Sequence, residues 1–458
     1  MALIISLVLL AALLRFDAAR EPTNSLSLWV PVLWMVIAGS RLPSQWLAGS
    51  GRGASAQALE QGNPLDRTIY SALIVLSIGI LVSRSFKWAD FLRQNPVLAA
   101  YLCFCLLSVL WSDFPLIALK RWFRDVGDYF TMLVVLSDRR PLEAVRTVLR
   151  RLCFLLIPLS VVMIKYYPAL GVHYDFWTGA PEFTGAALSK NTLGGLCVVS
   201  GLVFFWDTAR RWPERKNRRA RQTILINATF IVMTLWLLHL SNSVTSQVCL
   251  IIACSVVAWA CSKWGKRKLL LLKWLMPGSF LLYLVLNLAF DMNGQLAAEL
   301  GRTPTLTGRT EIWRTLLATH TNPLLGTGYE SFWLGPRLEW IWQQRGHINE
   351  AHNGYLDIYL NLGLIGLLLV LLLLVTSYRT ICRRLSRDSG LAPLAAATWT
   401  LLLFYCVTEA AFKSGLLWMM FLLGTVAIPP TAEIGKARKR EHFTLQPGGS
   451  RPREAVGL

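Results

Sequence analysis

Apolar runs recur from one end of the chain to the other, each broken off by a short polar or basic segment. A helix needs roughly 17–25 predominantly apolar residues to cross a bilayer core. The pattern predicts spans near 1–14, 26–39, 68–82, 96–111, 126–137, 148–164, 191–206, 223–240, 244–261, 268–290, 356–377, 393–410 and 415–428. Several are short, but neighbouring helices in a bundle shield short spans, so roughly 12 or 13 transmembrane helices are expected. The expected fold is an all-α polytopic membrane protein in four parts. N-terminal transmembrane helices occupy 1–290, and a long loop with short amphipathic helices occupies 291–355. C-terminal transmembrane helices occupy 356–428, and a disordered basic tail occupies 429–458. The first run, MALIISLVLLAALL, has no basic residue ahead of its apolar part, which favours an anchor over a cleaved signal peptide.

Composition agrees with this picture: 54% of residues are hydrophobic, 16% are charged and the mean hydropathy is +0.46, which excludes a soluble globular enzyme. The net charge of +20 would suit nucleic acid, but its placement points elsewhere. Arg210, Arg211, Arg215, Lys216, Arg218, Arg219 and Arg221 crowd one short loop. Lys263, Lys266, Arg267 and Lys268 crowd a second, Arg379, Arg383, Arg384 and Arg387 a third, and Lys436, Arg438, Lys439 and Arg440 the tail. Short Lys/Arg-rich loops between spans mark the cytoplasmic side. The near-neutral segment from about 291 to 355, with five Arg against six Asp plus Glu, is then extracytoplasmic. The side on which Met1 lies depends on whether the span count is odd or even. Nine Cys lie in or beside spans or in a cytoplasmic loop, with no CxxC pair, which argues against disulfides and thiolate metal sites.

Polar residues at membrane depth or in ordered outer loops carry the chemistry of such a protein. Three segments stand out. In LTGRTEIWRTLL, Thr307 or Gly308 caps a short helix and Glu311 falls in its first turn. Arg309 lies beside the free N–H groups of that helix start, an arrangement that suits phosphate oxygens. Its competing role is an ordinary ion pair with Glu311 or another carboxylate. Arg314 follows one turn later. In NPLLGTGYESFW, Asn322-Pro323 and Gly326-Thr327-Gly328 predict an ordered turn, and the close glycines permit backbone approach to a ligand.

The third segment is EAHNGYLDIYLNLGLIG. As a helix starting near Ala351, it sets His352, Tyr355 and Tyr359 on one face, with Asn353, Asp357 and Asn361 on the next. A single His near a helix end usually caps it, but a polar strip entering an apolar span demands partners or a wet cavity. Gly363 and Gly366 permit close helix packing without any functional role. Fainter candidates are SDFPLIALKRWFRD with Lys120, Arg121 and Arg124, GAALSKNTLGG with Lys190 and Asn191, and LSNSVTSQ. Together they would bring basic and hydroxyl groups to one outer cavity. No P-loop, HExxH or EF-hand occurs, which disfavours an ATP-driven pump and a metal-dependent hydrolase. From these residues, a membrane enzyme and a secondary transporter remain open. The absence of a second copy of the HNGYLD strip and the structured outer loop favour the enzyme.

The spacing of His352 and Asn353, then nine residues to Gly363 and two more to Gly366, resembles the signature of the O-antigen ligase and Wzy-type polymerase superfamily. TGRTEIW with NPLLGTGYESFW resembles the long periplasmic loop that precedes this signature. SKNTLGG and LSNSVTSQ resemble the subgroup of exopolysaccharide polymerases. The resemblance implies a GT-C-like fold and an inverting glycosyltransferase on the periplasmic face of the bacterial inner membrane. It also implies saccharides on undecaprenyl diphosphate as donor and acceptor, or lipid A–core as acceptor in a ligase, and no nucleotide, metal or other cofactor. Membrane lipids, a flippase and a chain-length regulator are the remaining implied partners, and nucleic acid is not one. Arg309, Lys190 and Arg124 would then meet the diphosphate, with Arg314 and Asn191 as further binding groups. His352 would accept the proton of the acceptor hydroxyl or orient it, while Asn353, Tyr355 and Asp357 would position His352 or bind sugar hydroxyls. Ligases of the family carry an essential Arg in an earlier outer loop, where Lys190 stands here, and this departure favours a polymerase.

Overall fold

A computed structural model describes residues 1–20, 25–48, 62–174, 179–290, 309–387 and 390–428. In chain order its principal helices are α1 (Ala2–Arg20), α2 (Trp29–Gly39), α3 (Pro64–Ser83), α4 (Pro96–Leu107), α5 (Pro115–Leu136) and α6 (Pro141–Tyr166). They continue as α7 (Lys190–Arg211), α8 (Arg218–Leu240), α9 (Val244–Cys261), α10 (Leu269–Phe290), α11 (Arg309–Leu317) and α12 (Gly335–Arg345), then α13 (Gly354–Ser386), α14 (Ala392–Thr408) and α15 (Leu416–Thr425). Each apolar run read from the sequence coincides with one of these helices. Their starts are written locally: proline occupies the first turn of α3 to α6, where its missing N–H costs nothing. The Ser189, Asn217, Ser243 and Asn353 side chains cap α7, α8, α9 and α13.

Among the described residues, seven helices are long and apolar enough to cross a membrane, namely α3, α6 to α10 and α13. The count rises to eight if Trp88–Gln94 and Pro96–Trp111, bent by 101°, form one broken span. The expected figure of 12 or 13 exceeds both. Helices α14 and α15 are apolar but short, and nearly every residue in them is buried by neighbours, so they need not meet lipid along their length. Lipid-facing surface is plain on other helices: Val75 and Val82 on α3, Leu225 and Val232 on α8, Leu282 and Val285 on α10, and Leu368 and Leu372 on α13 are all exposed. The chain is thus a multi-pass membrane protein. Its one described sheet is a small antiparallel hairpin, Val172–Tyr174 against Pro181–Phe183.

Helix α7 lies at the centre, packed on α6, α8 and α9, and α14 packs on α9, α13 and α15. This connectivity gives the bundle two unlike ends. Helices α7, α9 and α13 begin at one end, where α8 and α14 finish. The opposite end gathers Arg210 and Arg211 of α7, which reach it together with Arg384 of α13. There Arg210 donates to the Gly390 carbonyl at 2.7 Å and Arg384 to that of Val426 at 2.9 Å.

The long helix α13 is broken at Gly363, whose φ of 64° and ψ of −165° leave the helical region. The break frees backbone groups, and the NPLLGTG turn takes them up. Thr327 and Gly328 N–H donate to the Leu360 and Asn361 carbonyls at 3.2 and 2.9 Å. Leu364 and Ile365 N–H donate to those of Pro323 and Leu324 at 2.9 and 3.2 Å. A Cβ on Gly363 would lie 2.2 Å from the Leu324 carbonyl oxygen, and one on Gly326 would lie 2.4 Å from the Asn361 backbone. These glycines therefore serve a backbone-to-backbone junction, not the ligand approach expected of the pair Gly326 and Gly328. The segment from α11 to the start of α13 adds a small core of its own, with Leu316, Phe332, Trp333, Leu338 and Ile341 buried around Leu360 of α13. Residues 291–308, including the proposed caps Thr307 and Gly308, and the tail 429–458 lie outside the described residues.

Candidate active site

Three of the sequence-selected residues, drawn from distant segments, converge on a carboxylate that the sequence reading passed over. Arg309, at the start of α11, places its guanidinium 2.7 Å from Glu409 Oε1. Asn191, in the first turn of α7, donates from Nδ2 to Glu409 Oε2 at 3.4 Å. His352 Nδ1 lies 3.5 Å from Glu409 Oε2 and 3.1 Å from Glu350 Oε1, shared between the two carboxylates and aligned for a hydrogen bond with neither. Glu350 in turn meets Lys413 Nζ at 2.9 Å. The result is a chain of alternating charge: Lys413, Glu350, His352, Glu409, Arg309. Arg309 thus takes the ion-pair role, with Glu409 as partner; Glu311 is engaged by Arg345 at 2.6 Å.

His352 does not lie on the helix face read from the spacing. Asn353 caps α13, accepting from Tyr355 and Leu356 N–H at 3.0 Å each, so the helix starts only at Gly354. His352 precedes the cap with φ 46°, a left-handed backbone that a non-glycine residue adopts only when its surroundings impose it. The surroundings do so through Ala351. Its N–H donates to Asp357 Oδ1 at 3.2 Å, and its carbonyl accepts from Trp313 Nε1 at 2.8 Å. Asp357 also accepts from Trp333 Nε1 at 2.9 Å, and Asn361 Oδ1 accepts from Phe332 N–H at 3.1 Å. The polar strip of α13 therefore docks the preceding loop and fixes His352. Tyr355 packs edge-on against Phe412 and donates to the Leu403 carbonyl at 3.2 Å.

Beside this cluster opens a cavity of about 440 Å³ lined by α2, α7, α14 and the start of α15. Arg124, Asn191, Glu350, Glu409 and Lys413 line it, among Tyr70, Tyr405, Trp34 and Trp418. Arg124 reaches it while pairing with Asp125 at 2.7 Å. Ser189 and Thr192 of the SKNT segment also line it, whereas Ser243 and Ser246 of LSNSVTSQ pack behind, against Gly194 of α7. Buried Arg41 clasps the SKNT approach by donating to the carbonyls of Leu170, Gly185 and Ala187. Lys190 is not among the lining residues; it pairs with Glu182 of the hairpin at 2.5 Å and is largely exposed. Arg314 is exposed on α11, and no contact of it with the Glu409 cluster is seen.

Charge in the cluster is strongly set by its neighbours. Burial alone would push the His352 imidazolium down, but Glu350 and Glu409 outweigh it and lift the group from 6.5 to about 9. Burial would raise the Glu350 carboxyl, yet Lys413 and His352 hold it well below the usual range. Burial would likewise lower Lys413, which Glu350, Asp357 and Glu330 hold well above its usual value. His352 is thus a cation at neutral pH. Because its folded value is raised, the stability it contributes is complete below 6.5 and is lost as pH rises through about 9. Thermal unfolding in detergent should show wild type above His352→Gln at pH 6.5, with the gap closing by pH 10; an unchanged gap would refute the ion pairing.

Glu350, His352 and Glu409 bring one donor atom each within 4.8 Å of one another, close enough for a metal ion. Each carboxylate already faces a protein cation, Lys413 at 2.9 Å and Arg309 at 2.7 Å, which a metal ion there would have to displace.

The sequence did carry a signal for the residues it missed. In LLLFYCVTEAAFKSG, Glu409 and Lys413 are isolated charges at the end of an apolar run, and such charges are functional by default.

Fold and site together define a multi-pass membrane protein with a charged, cavity-lining cluster held under a docked loop. Residues 228–371 match the family model described as O-Antigen ligase, a stretch that includes Arg309 and His352 but stops short of Glu409. Over 307 residues the chain is 26% identical to the exopolysaccharide production protein ExoQ of Rhizobium meliloti (strain 1021). That match covers 61% of this chain and 63% of the relative, so it spans just under two thirds of the relative's length. The resemblance read from the signature at His352 to Gly366, and from the exopolysaccharide-type segments, is borne out.

Proposed function

We propose that the protein is an inner-membrane glycosyltransferase that polymerises undecaprenyl-diphosphate-linked repeat units into exopolysaccharide or O-antigen on the periplasmic face. The observation that carries this reading is the convergence of Asn191, Arg309 and His352 on Glu409 beside a cavity, at the end of the bundle away from Arg210, Arg211 and Arg384. Short Arg-rich loops favour the cytoplasmic side, which supports a cavity that opens outside. The resemblance to an exopolysaccharide production protein supports the substrate class.

A hydroxyl of the acceptor attacks the anomeric carbon of the donor from the face opposite the diphosphate, and the diphosphate leaves with the bonding electrons. Charge grows on that leaving group, and fixed cations aimed at it lower the barrier. Arg124 and Lys413, both on the cavity wall, fill this role here. Arg309 instead anchors the acceptor side through Glu409. The diphosphate is already activated, so the reaction proceeds without a nucleotide and is insensitive to chelators. Flippase and chain-length regulator proteins would deliver the donor and set the product size.

Deleting the protein is expected to abolish long-chain polysaccharide and to leave single repeat units on the carrier, read by mass spectrometry of extracted lipids. Free polymer that fails to reach lipid A–core would establish a ligase, and repeat units trapped on the cytoplasmic face a transporter. Complementation by Lys190→Ala is expected to restore chain length within about twofold of wild type, because an exposed ion pair contributes little.

A further inference from the structure

We propose that Glu409, through its Oε2 atom, is the proton acceptor of this reaction, and that His352, Arg309 and Asn191 are residues that position it. The proposal rests on the glycosyltransferase reading above and names the catalytic base within it.

Three groups in the cluster could take the hydroxyl proton, and geometry separates them. The two oxygens of Glu409 are unlike. Oε1 is committed to the Arg309 guanidinium at 2.7 Å. Among the described residues Oε2 has only long contacts, Asn191 Nδ2 at 3.4 Å and the unaligned His352 Nδ1 at 3.5 Å. A carboxylate oxygen accepts well at roughly 2.6–3.2 Å, so Oε2 keeps accepting capacity for a further donor. Glu409 also lines the cavity, where an acceptor hydroxyl would arrive.

Glu350 lines the same cavity, but its oxygens are divided between Lys413 at 2.9 Å and His352 at 3.1 Å. His352 directs Nδ1 at both carboxylates. Nδ1 between two carboxylates acts as a donor, which leaves only Nε2 to accept a proton, and His352 is absent from the cavity wall where the hydroxyl would arrive. Its positive charge supports this assignment. The strained φ of 46° at His352 and the double clamp on Ala351 fit a side chain built to hold its neighbours in place.

The step balances. The acceptor hydroxyl oxygen bonds to the anomeric carbon as its proton passes to Glu409 Oε2. The bond from that carbon to the phosphate oxygen breaks, and the electron pair leaves with the lipid diphosphate. Glu409 then releases the proton to water in the open cavity. Arg309 keeps Oε1 fixed, so Oε2 points one way throughout.

The test uses full-length protein in liposomes with lipid-linked repeat units extracted from a strain lacking it, the rate read as ladder growth on gels. Wild type should build a ladder; its failure would overturn the glycosyltransferase reading itself. Given that ladder, Glu409→Gln is expected to lower kcat at least about 100-fold with KM changed only a few-fold. Glu409→Asp should recover part of the loss, whereas Glu350→Gln and His352→Gln should each retain more activity than Glu409→Gln. Size-exclusion profiles and melting temperatures establish that each variant is folded. If Glu409→Gln misfolds, His352→Gln decides: a residual kcat above about 1% of wild type supports Glu409, and total loss in a folded variant overturns the assignment. A folded Glu409→Gln protein within about tenfold of wild type would also overturn it, leaving the function intact.

Discussion

Cells whose only copy carries Arg309→Ala are expected to make no long-chain polysaccharide, although the protein reaches the membrane in normal amounts. The guanidinium and Glu409 form a pair with side-chain exposures of 14% and 6%. Removing one partner of so buried a pair leaves an uncompensated charge, at a cost of about 3–5 kcal/mol. Glu409 has two ways to escape that cost: it rotates toward His352 or it takes up a proton. Either outcome removes Oε2 from the cavity wall or fills its lone pair, so turnover should fall by about 100-fold or more. Arg309→Lys should recover only part, because an ammonium is a point charge on a more flexible stem and does not reproduce the guanidinium geometry. Full chain length in the Arg309→Ala strain would show that the Glu409 cluster is not the site.

The second large effect is structural. Gly363→Ala places a Cβ 2.2 Å from the Leu324 carbonyl oxygen at a residue whose φ is 64°. Neither a rotamer change nor a small shift relieves a backbone clash of that kind, because the same turn takes up four backbone groups of α13. Stability should fall by about 3 kcal/mol or more, seen as a lower melting temperature in detergent. Gly79→Ala in α3, with nothing within 4 Å of the new methyl group, is the control and should not fall. Equal melting temperatures for the two variants would mean that the loop is not locked into the break. The junction carries the loop that clamps Ala351, so Gly363→Ala should also impair activity through the position of His352.

Much of the architecture was legible because apolar periodicity and run length are written residue by residue. The proline and Asn/Ser caps marked helix starts in the same local way. The span count was less legible, since a helix that neighbours bury all round, such as α15, needs no bilayer length to be stable. At the site, His352 and Asn191 could be picked out as polar groups at span edges, and Arg309 as a cation at the start of a short loop helix. Their shared partner could not, because Glu409 lies 57 residues after His352 and 218 after Asn191, and the packing of α14 on α7, α9 and α13 joins them. The strip on α13 looked like a binding wall from its helical spacing. The partners of Asp357 and Asn361 are loop groups instead, a distinction that spacing does not encode. Lys190 stood out for its charge next to Asn191, yet Glu182 of the hairpin faces it.

The most direct measurement is a reconstitution: purified wild-type protein in liposomes with lipid-linked single repeat units, sampled over time on a sizing gel. The account predicts a ladder of growing chains, with undecaprenyl diphosphate released in step and EDTA without effect. Single units that remain single, with no carrier released, would contradict it.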